Sequence, residues 1–174
     1  MESVLNIMRT TVLVGTLAIA GCASTEGQLV ANATTQDHRC LAEAIYHEAG
    51  NEPMAGRHAV GHVVINRSRS GRYPNSICGV VYDRGHKNRG CQFSWSCRRH
   101  KAPTGELWQQ AQEVATLIIN GKSRDVTLGA LNFHGRKDPV RYSTKRYQRT
   151  AIIGGHTFWR PKQLAAYNRQ GDLK

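Results

Sequence analysis

The chain has 174 residues and a formal net charge of +12, from 24 Lys and Arg against 12 Asp and Glu. That length is enough for one domain with a real core. The basic excess suits an acidic polymer as partner, although charge alone also serves solubility.

The N-terminal segment Met1–Gly21 carries Arg9 and then an apolar run, Thr10–Gly21. That run is about a dozen residues, short of the roughly 20 needed to cross a bilayer, which argues against a transmembrane anchor. The stretch "IAGC" puts small residues before a cysteine at the end of the run, as in a bacterial lipoprotein signal. On that reading Met1–Gly21 is removed, and Cys22 carries the lipid that attaches the protein to a membrane. Ala23 follows Cys22, which resembles outer-membrane sorting in a Gram-negative cell. The expected location is therefore the cell envelope, lipid-anchored, at an outer membrane and facing the periplasm. An exported protein rarely meets nucleic acid, so peptidoglycan and the anionic envelope surface are the better partners. The polar stretch 22–37 reads as a tether.

Four further cysteines remain, Cys40, Cys78, Cys91 and Cys97. An even number in an exported domain suggests two disulfides. Three connectivities exist; the short loop favours Cys91–Cys97, which leaves Cys40–Cys78. The rival is a zinc site from Cys91, Cys97 and His100 with Cys78 or His86, but those spacings fit no standard zinc pattern. No metal is expected.

The first predicted helix runs from His38 to Ala49, with Asp37 as N-cap and Gly50 just past its end. "NEP" breaks the chain. A second helix spans Met54–Arg67, with Gly56, Val60, Val63 and Val64 on one stripe. Ser68–Pro103 reads as a long irregular stretch, a length that usually signals function or a staple. A third helix covers Thr104–Asn120, with Leu107, Ala111, Val114 and Ile118 on one face. The runs "GALNFHG" and "RTAIIGGHTFWR" are β-rich and either pair as a small sheet or serve as extended packing segments. No internal repeat is visible. The expected fold is α+β, helix-dominated, one compact domain over 38–160 with a weakly ordered tail, 161–174.

Glu48 stands out within "AIYHEAGNEP". On a helix it falls roughly 20° from Leu41, so the stripe Leu41, Ala44, Ile45 runs into a carboxylate. An unpaired charge there is costly. Burial raises a carboxyl pKa and keeps its proton near neutrality, as a general acid requires. The alternative is a buried ion pair, for instance with Arg67. Glu43 sits about 200° from Leu41, on the expected solvent side. His58 and His62, in "HAVGH", have the i, i+4 spacing of zinc enzymes but lack the accompanying Glu; they read as solvated helix histidines. In "CQFSWSC", Gln92, Ser94 and Ser96 lie beside Phe93 and Trp95. Aromatic faces with amide and hydroxyl groups suit a glycan subsite, or else the aromatics tuck into the core. A Cys–His nucleophile, Cys91 or Cys78 with His134 or His156, is disfavoured by the even cysteine count. No G-x-S-x-G elbow is present.

Together "CLAEAIYHEAGNEPMAGRHAVGHVVINR", "RYPNSICGVVYD" and "CQFSWSC", followed by "LNFHG" and "IIGGHTFW", resemble the catalytic domain of the spore-cortex-lytic, SleB/CwlJ-type cell-wall hydrolases. The resemblance covers about Cys40–Trp159. It implies a lysozyme-like or lytic-transglycosylase-like domain that cuts peptidoglycan between N-acetylmuramic acid and N-acetylglucosamine. The family's catalytic glutamate maps to Glu48 and the glutamine of its "QFS" motif to Gln92. Phe93, Ser94 and Trp95 are the neighbouring candidates for substrate binding. No cofactor is expected, and the domain is expected to act as a monomer. The sequence departs from the family in having His47 before Glu48 and Asn51 where Gly is usual. Glu52 and Asp83 are the possible second carboxylates; without one, the muramic acetamido group would assist a single acid. The rivals are a muramoyl–L-alanine amidase, a non-catalytic peptidoglycan-binding lipoprotein and, on composition alone, a nucleic-acid binder.

Overall fold

The computed structural model describes residues 34–85, 90–139 and 142–162. The lipoprotein-type segment with Cys22, His86 of the rival zinc set, and the tail from 163 lie outside these residues. Helix α1 spans Thr35–Ala49. Its cap is Thr34, whose hydroxyl accepts the Asp37 N–H at 3.1 Å while the Asp37 carboxylate accepts the Thr34 N–H at 3.4 Å. Asp37 is thus the reciprocal member of a capping box rather than the cap itself. The helix therefore begins inside the segment expected to be tether.

Helix α1 is the centre of the helical layer. It packs against α2 (Met54–Arg69), the short α3 (Ile77–Val81) and α4 (Gly105–Ile119). Six consecutive residues, Cys40 to Ile45, are buried. Over Cys40–Ile45 the three neighbours leave no solvent side, which corrects the expectation for Glu43: it is only 5 % exposed. Its charge is compensated by Arg39 Nε at 3.1 Å and by a short hydrogen bond donated by the Tyr82 hydroxyl. Burial, followed by the bond to Glu43, pushes the Tyr82 pKa up to about 12.

Helix α2 serves two cores. Val64 and Ile65 join Leu41, Ile45, Val80, Val81, Phe93 and Val114. Ala59, Val60 and Val63 pack with Ala49 and Phe158 on the sheet side. Gly61 lies where a Cβ would collide with the Ile118 Cδ1 methyl, so α2 and α4 approach closely there. On α4, Ala111, Val114 and Ile118 are buried, but Leu107, expected on the same stripe, is exposed. The two α2 histidines also differ from expectation. His62 is buried, and both rings bond one hydroxyl, Ser123 Oγ, at 2.8 Å from His58 Nδ1 and 2.9 Å from His62 Nε2. The loop after α4 folds back over that face and covers it.

The β-rich runs pair as a sheet. Strands β1 (Asn132–Gly135), β2 (Tyr147–Ile153) and β3 (His156–Pro161) form an antiparallel set in the order β1-β3-β2. Phe133 pairs with Phe158, and a register irregularity falls between Arg149 and Ala151. The long stretch before α4 contains α3 and one 3-10 turn, Ser94–Cys97. Cys40 is bonded to Cys78, joining α1 to α3, and Cys91 to Cys97, closing a ring around the 3-10 turn. The architecture is a helix-dominated α+β domain. Among the described residues no helix is long and apolar enough to cross a membrane.

The Cys40–Cys78 link spans 38 residues, for which chain entropy gives about 3–4 kcal/mol. Replacing both cysteines with alanine should lower the unfolding free energy by about that amount, read as a reduced guanidinium midpoint, and the less compact denatured state should raise the m-value.

Candidate active site

Glu48 occupies the last turn of α1, one residue before its end. Partial negative charge gathers at a helix C-terminus and disfavours an anion there. The last turn is closed by Gly50, whose N–H reaches the Tyr46 carbonyl at 3.1 Å. Gly50 is right-handed rather than left-handed. Glycine is needed because a Cβ would stand 2.5 Å from the Tyr46 oxygen. The Gly50 carbonyl accepts Arg57 Nη2 at 2.8 Å, which ties the end of α1 to α2.

The Glu48 side chain is half-buried, and one hydrogen bond holds it: Trp95 Nε1 donates to Oε1 at 3.0 Å. Burial pushes the Glu48 pKa above the ordinary carboxyl value. The indole N–H and then the Arg67 charge pull it partly back. Arg67, expected as the alternative ion-pair partner, is buried, with Nε donating to the Leu131 carbonyl at 2.8 Å. Its guanidinium lies 5.2 Å from the ring centres of both Tyr73 and Phe93. It acts on Glu48 through its field. The environment therefore shifts the balance toward the protonated carboxyl, with a cation near enough to stabilise its anion.

The two other carboxylates separate clearly. Glu52 is committed to the β2–β3 turn: Oε2 accepts the Gly155 N–H at 2.6 Å, and Oε1 is 3.9 Å from His156 Nδ1. Asp83 lines a cleft of about 380 Å³ together with Arg72, Tyr73, Gln92, Asn132 and Tyr147. Its Oδ1 accepts the Gly85 N–H at 2.8 Å. Glu48 is not among the cleft's lining residues. It stands beyond Arg67, whose contacts Tyr73 and Leu131 form part of that lining.

The members of "CQFSWSC" divide. Gln92 lines the cleft. Phe93 is 3 % exposed, under Arg67, and has no face for a sugar. Ser94 is exposed at the start of the 3-10 turn. Trp95 turns to Glu48. Sequence reasoning passed over Tyr73, Asn132 and Tyr147 in the cleft, which lie on separate segments; no local pattern links them. Among the described residues no three His, Cys, Asp or Glu side chains gather as a metal set.

Comparison with known proteins gives a family match. The model described as Cell Wall Hydrolase matches residues 51–159. The chain belongs to the Cell Wall Hydrolase family. It is similar to the spore cortex-lytic enzyme of Bacillus subtilis (strain 168), with 42% identity over 29% of this chain and 16% of that protein. The spore cortex-lytic enzyme of Oceanobacillus iheyensis is 38% identical over 55% of this chain and 28% of that protein. The chain therefore spans less than a third of the length of either relative. The crystal structure of the catalytic domain of the Bacillus cereus SleB protein superposes with a TM-score of 0.58 at 26% identity, over 74% of this chain and 94% of that one. The catalytic domain of the germination-specific lytic transglycosylase SleB from Bacillus anthracis has the same TM-score at 25% identity, over 74% and 98%. This member of a hydrolase family thus has the lysozyme-like α+β fold of the SleB catalytic domain.

Linkage gives the hydrolase's candidate acid a stability signature. The folded carboxyl binds its proton more tightly than the unfolded one. Stability from this group is thus complete below the unfolded pKa and is lost as pH rises through the folded pKa. Glu48→Gln should stabilise the domain at pH 7 and leave it unchanged near pH 3, measured by denaturant unfolding at both values.

Proposed function

We propose that the chain cleaves peptidoglycan glycan strands between N-acetylmuramic acid and N-acetylglucosamine, with Glu48 as a single acid/base. The observation that carries this reading is the half-buried Glu48 carboxyl, its pKa raised by burial and one oxygen held by Trp95. The cleft on the other side of Arg67, lined by aromatic, amide and carboxyl groups, suits a polyhydroxylated strand. The names of the similar proteins, spore cortex-lytic enzyme and lytic transglycosylase, support the same chemistry.

Glu48 protonates the glycosidic oxygen, and the N-acetylglucosamine end leaves. With Glu52 engaged at the hairpin turn, the muramic acetamido group stabilises the oxocarbenium-like centre. The Glu48 carboxylate then takes the proton of the muramic C6 hydroxyl, which closes a 1,6-anhydro ring. Attack by water instead would give a muramidase. Attachment to the envelope membrane through a lipid on Cys22, at an outer membrane facing the periplasm, belongs to the same proposal.

General acid catalysis is worth roughly 10²–10⁴ in rate. On purified sacculi, Glu48→Gln should reduce soluble muropeptide release by at least about 100-fold. Mass spectrometry of the wild-type products should show 1,6-anhydro ends; hydrated reducing ends alone would make the enzyme a muramidase. Release that stops on chelation and yields free stem peptides would replace this reading with the amidase.

A further inference from the structure

Trp95 was expected to present its face to a sugar. The structure fills its surroundings with protein instead. The His47 ring stacks on it at 4.3 Å between centroids and 23° between planes. Phe93 lies near-parallel at 6.1 Å, while His100 and Tyr82 approach edge-on at 5.4 and 6.1 Å. Tyr82 is itself held by its hydrogen bond to buried Glu43. The backbone beneath is equally constrained. Ser96 bonds the Phe93 carbonyl through both Oγ at 2.8 Å and N at 3.0 Å, and the Arg98 N–H bonds the Trp95 carbonyl at 3.0 Å. The Cys91–Cys97 bond closes the ring around this turn.

An indole N–H can donate but never accept. The carboxyl oxygen facing it must therefore be an acceptor in both protonation states of the acid. We infer that Trp95 is a positioning residue: its N–H holds Oε1 of Glu48 and so keeps the transferable proton on Oε2. This rests on the acid role proposed for Glu48 and adds the group that orients it. One seven-residue ring thus serves two tasks, with Gln92 turned to the cleft and Trp95 turned to the acid. The same N–H remains on the carboxylate once the proton has left, where a fixed donor stabilises the developing charge.

Trp95→Phe removes the donor while keeping an aromatic ring. On solubilised glycan strands it should lower kcat about tenfold, the worth of one hydrogen bond to a charged group, and leave KM within about twofold. The lost N–H favoured the anion, so Glu48 should hold its proton to higher pH and the alkaline limb of the rate profile should move upward. A sugar platform would instead raise KM several-fold and leave the limb in place; that result, or unchanged kinetics, overturns the inference. A second measurement needs no variant at position 95. In the native protein the Trp95 indole ¹H–¹⁵N resonance should titrate together with the Glu48 carboxyl, and the step should vanish in Glu48→Gln. An indole signal that ignores that titration overturns the inference even if Trp95→Phe does not fold. The two layers fail separately: an active Glu48→Gln removes the acid and this inference with it. An inactive Glu48→Gln with an unmoved Trp95→Phe limb removes only the positioning role.

Discussion

A carboxyl at the last turn of a helix packed on three sides cannot be solvated like a surface acid. Helix α1 imposes that constraint on Glu48. Its neighbours α2, α3 and α4 exclude water along most of its length, and the helix dipole adds a further bias against charge at its end. The remaining parts of the site answer this constraint. One neutral donor, the Trp95 indole, meets one oxygen. One cation, Arg67, acts without closing an ion pair that would tie up the acid. Had a guanidinium gripped the carboxylate directly, its pKa would be lowered instead of raised.

The same helix shows how a polar group can be buried for structure instead. Glu43, five residues earlier, is more deeply buried than Glu48 but is held by Arg39 and Tyr82. Compensated on both oxygens, it is chemically quiet. Glu48 has a single hydrogen-bond partner among the described residues. The contrast separates a packed charge from a poised one, on one helix and in one core.

Much of this was legible in the sequence. Helical periodicity located α1, α2 and α4 to within a few residues, and the position of Glu48 on the apolar stripe was visible from spacing alone. The misreadings share a cause. The wheel assigns one apolar face per helix, whereas α1 packs against three helices and α2 against three helices and the sheet, so the wheel puts Glu43 and His62 in solvent. Ala42 and Ala44 flanking Glu43 were the available sign, since small residues permit close approach on more than one side. Ser123, which receives both α2 histidines, lies about 60 residues away, and periodicity carries no information at that range. Trp95 stands out in the sequence as an aromatic in a stapled loop, but the spacing carries no sign of its bond to Glu48. Only the packing of that loop against α1 brings its N–H to the Glu48 carboxyl.

The clamp made by Glu52 has a mechanical consequence. Four residues past the acid, its carboxylate reaches across to the Gly155 amide at the hairpin tip. The added bulk of a Cβ at Gly154 or Gly155 would strike that carboxylate, so the fastening is tight as well as short. Helical layer and sheet are thus fastened four residues from Glu48, not at the far rim. The hairpin tip is thereby held against the turn that follows α1, so the two layers are joined by a carboxylate as well as by apolar packing.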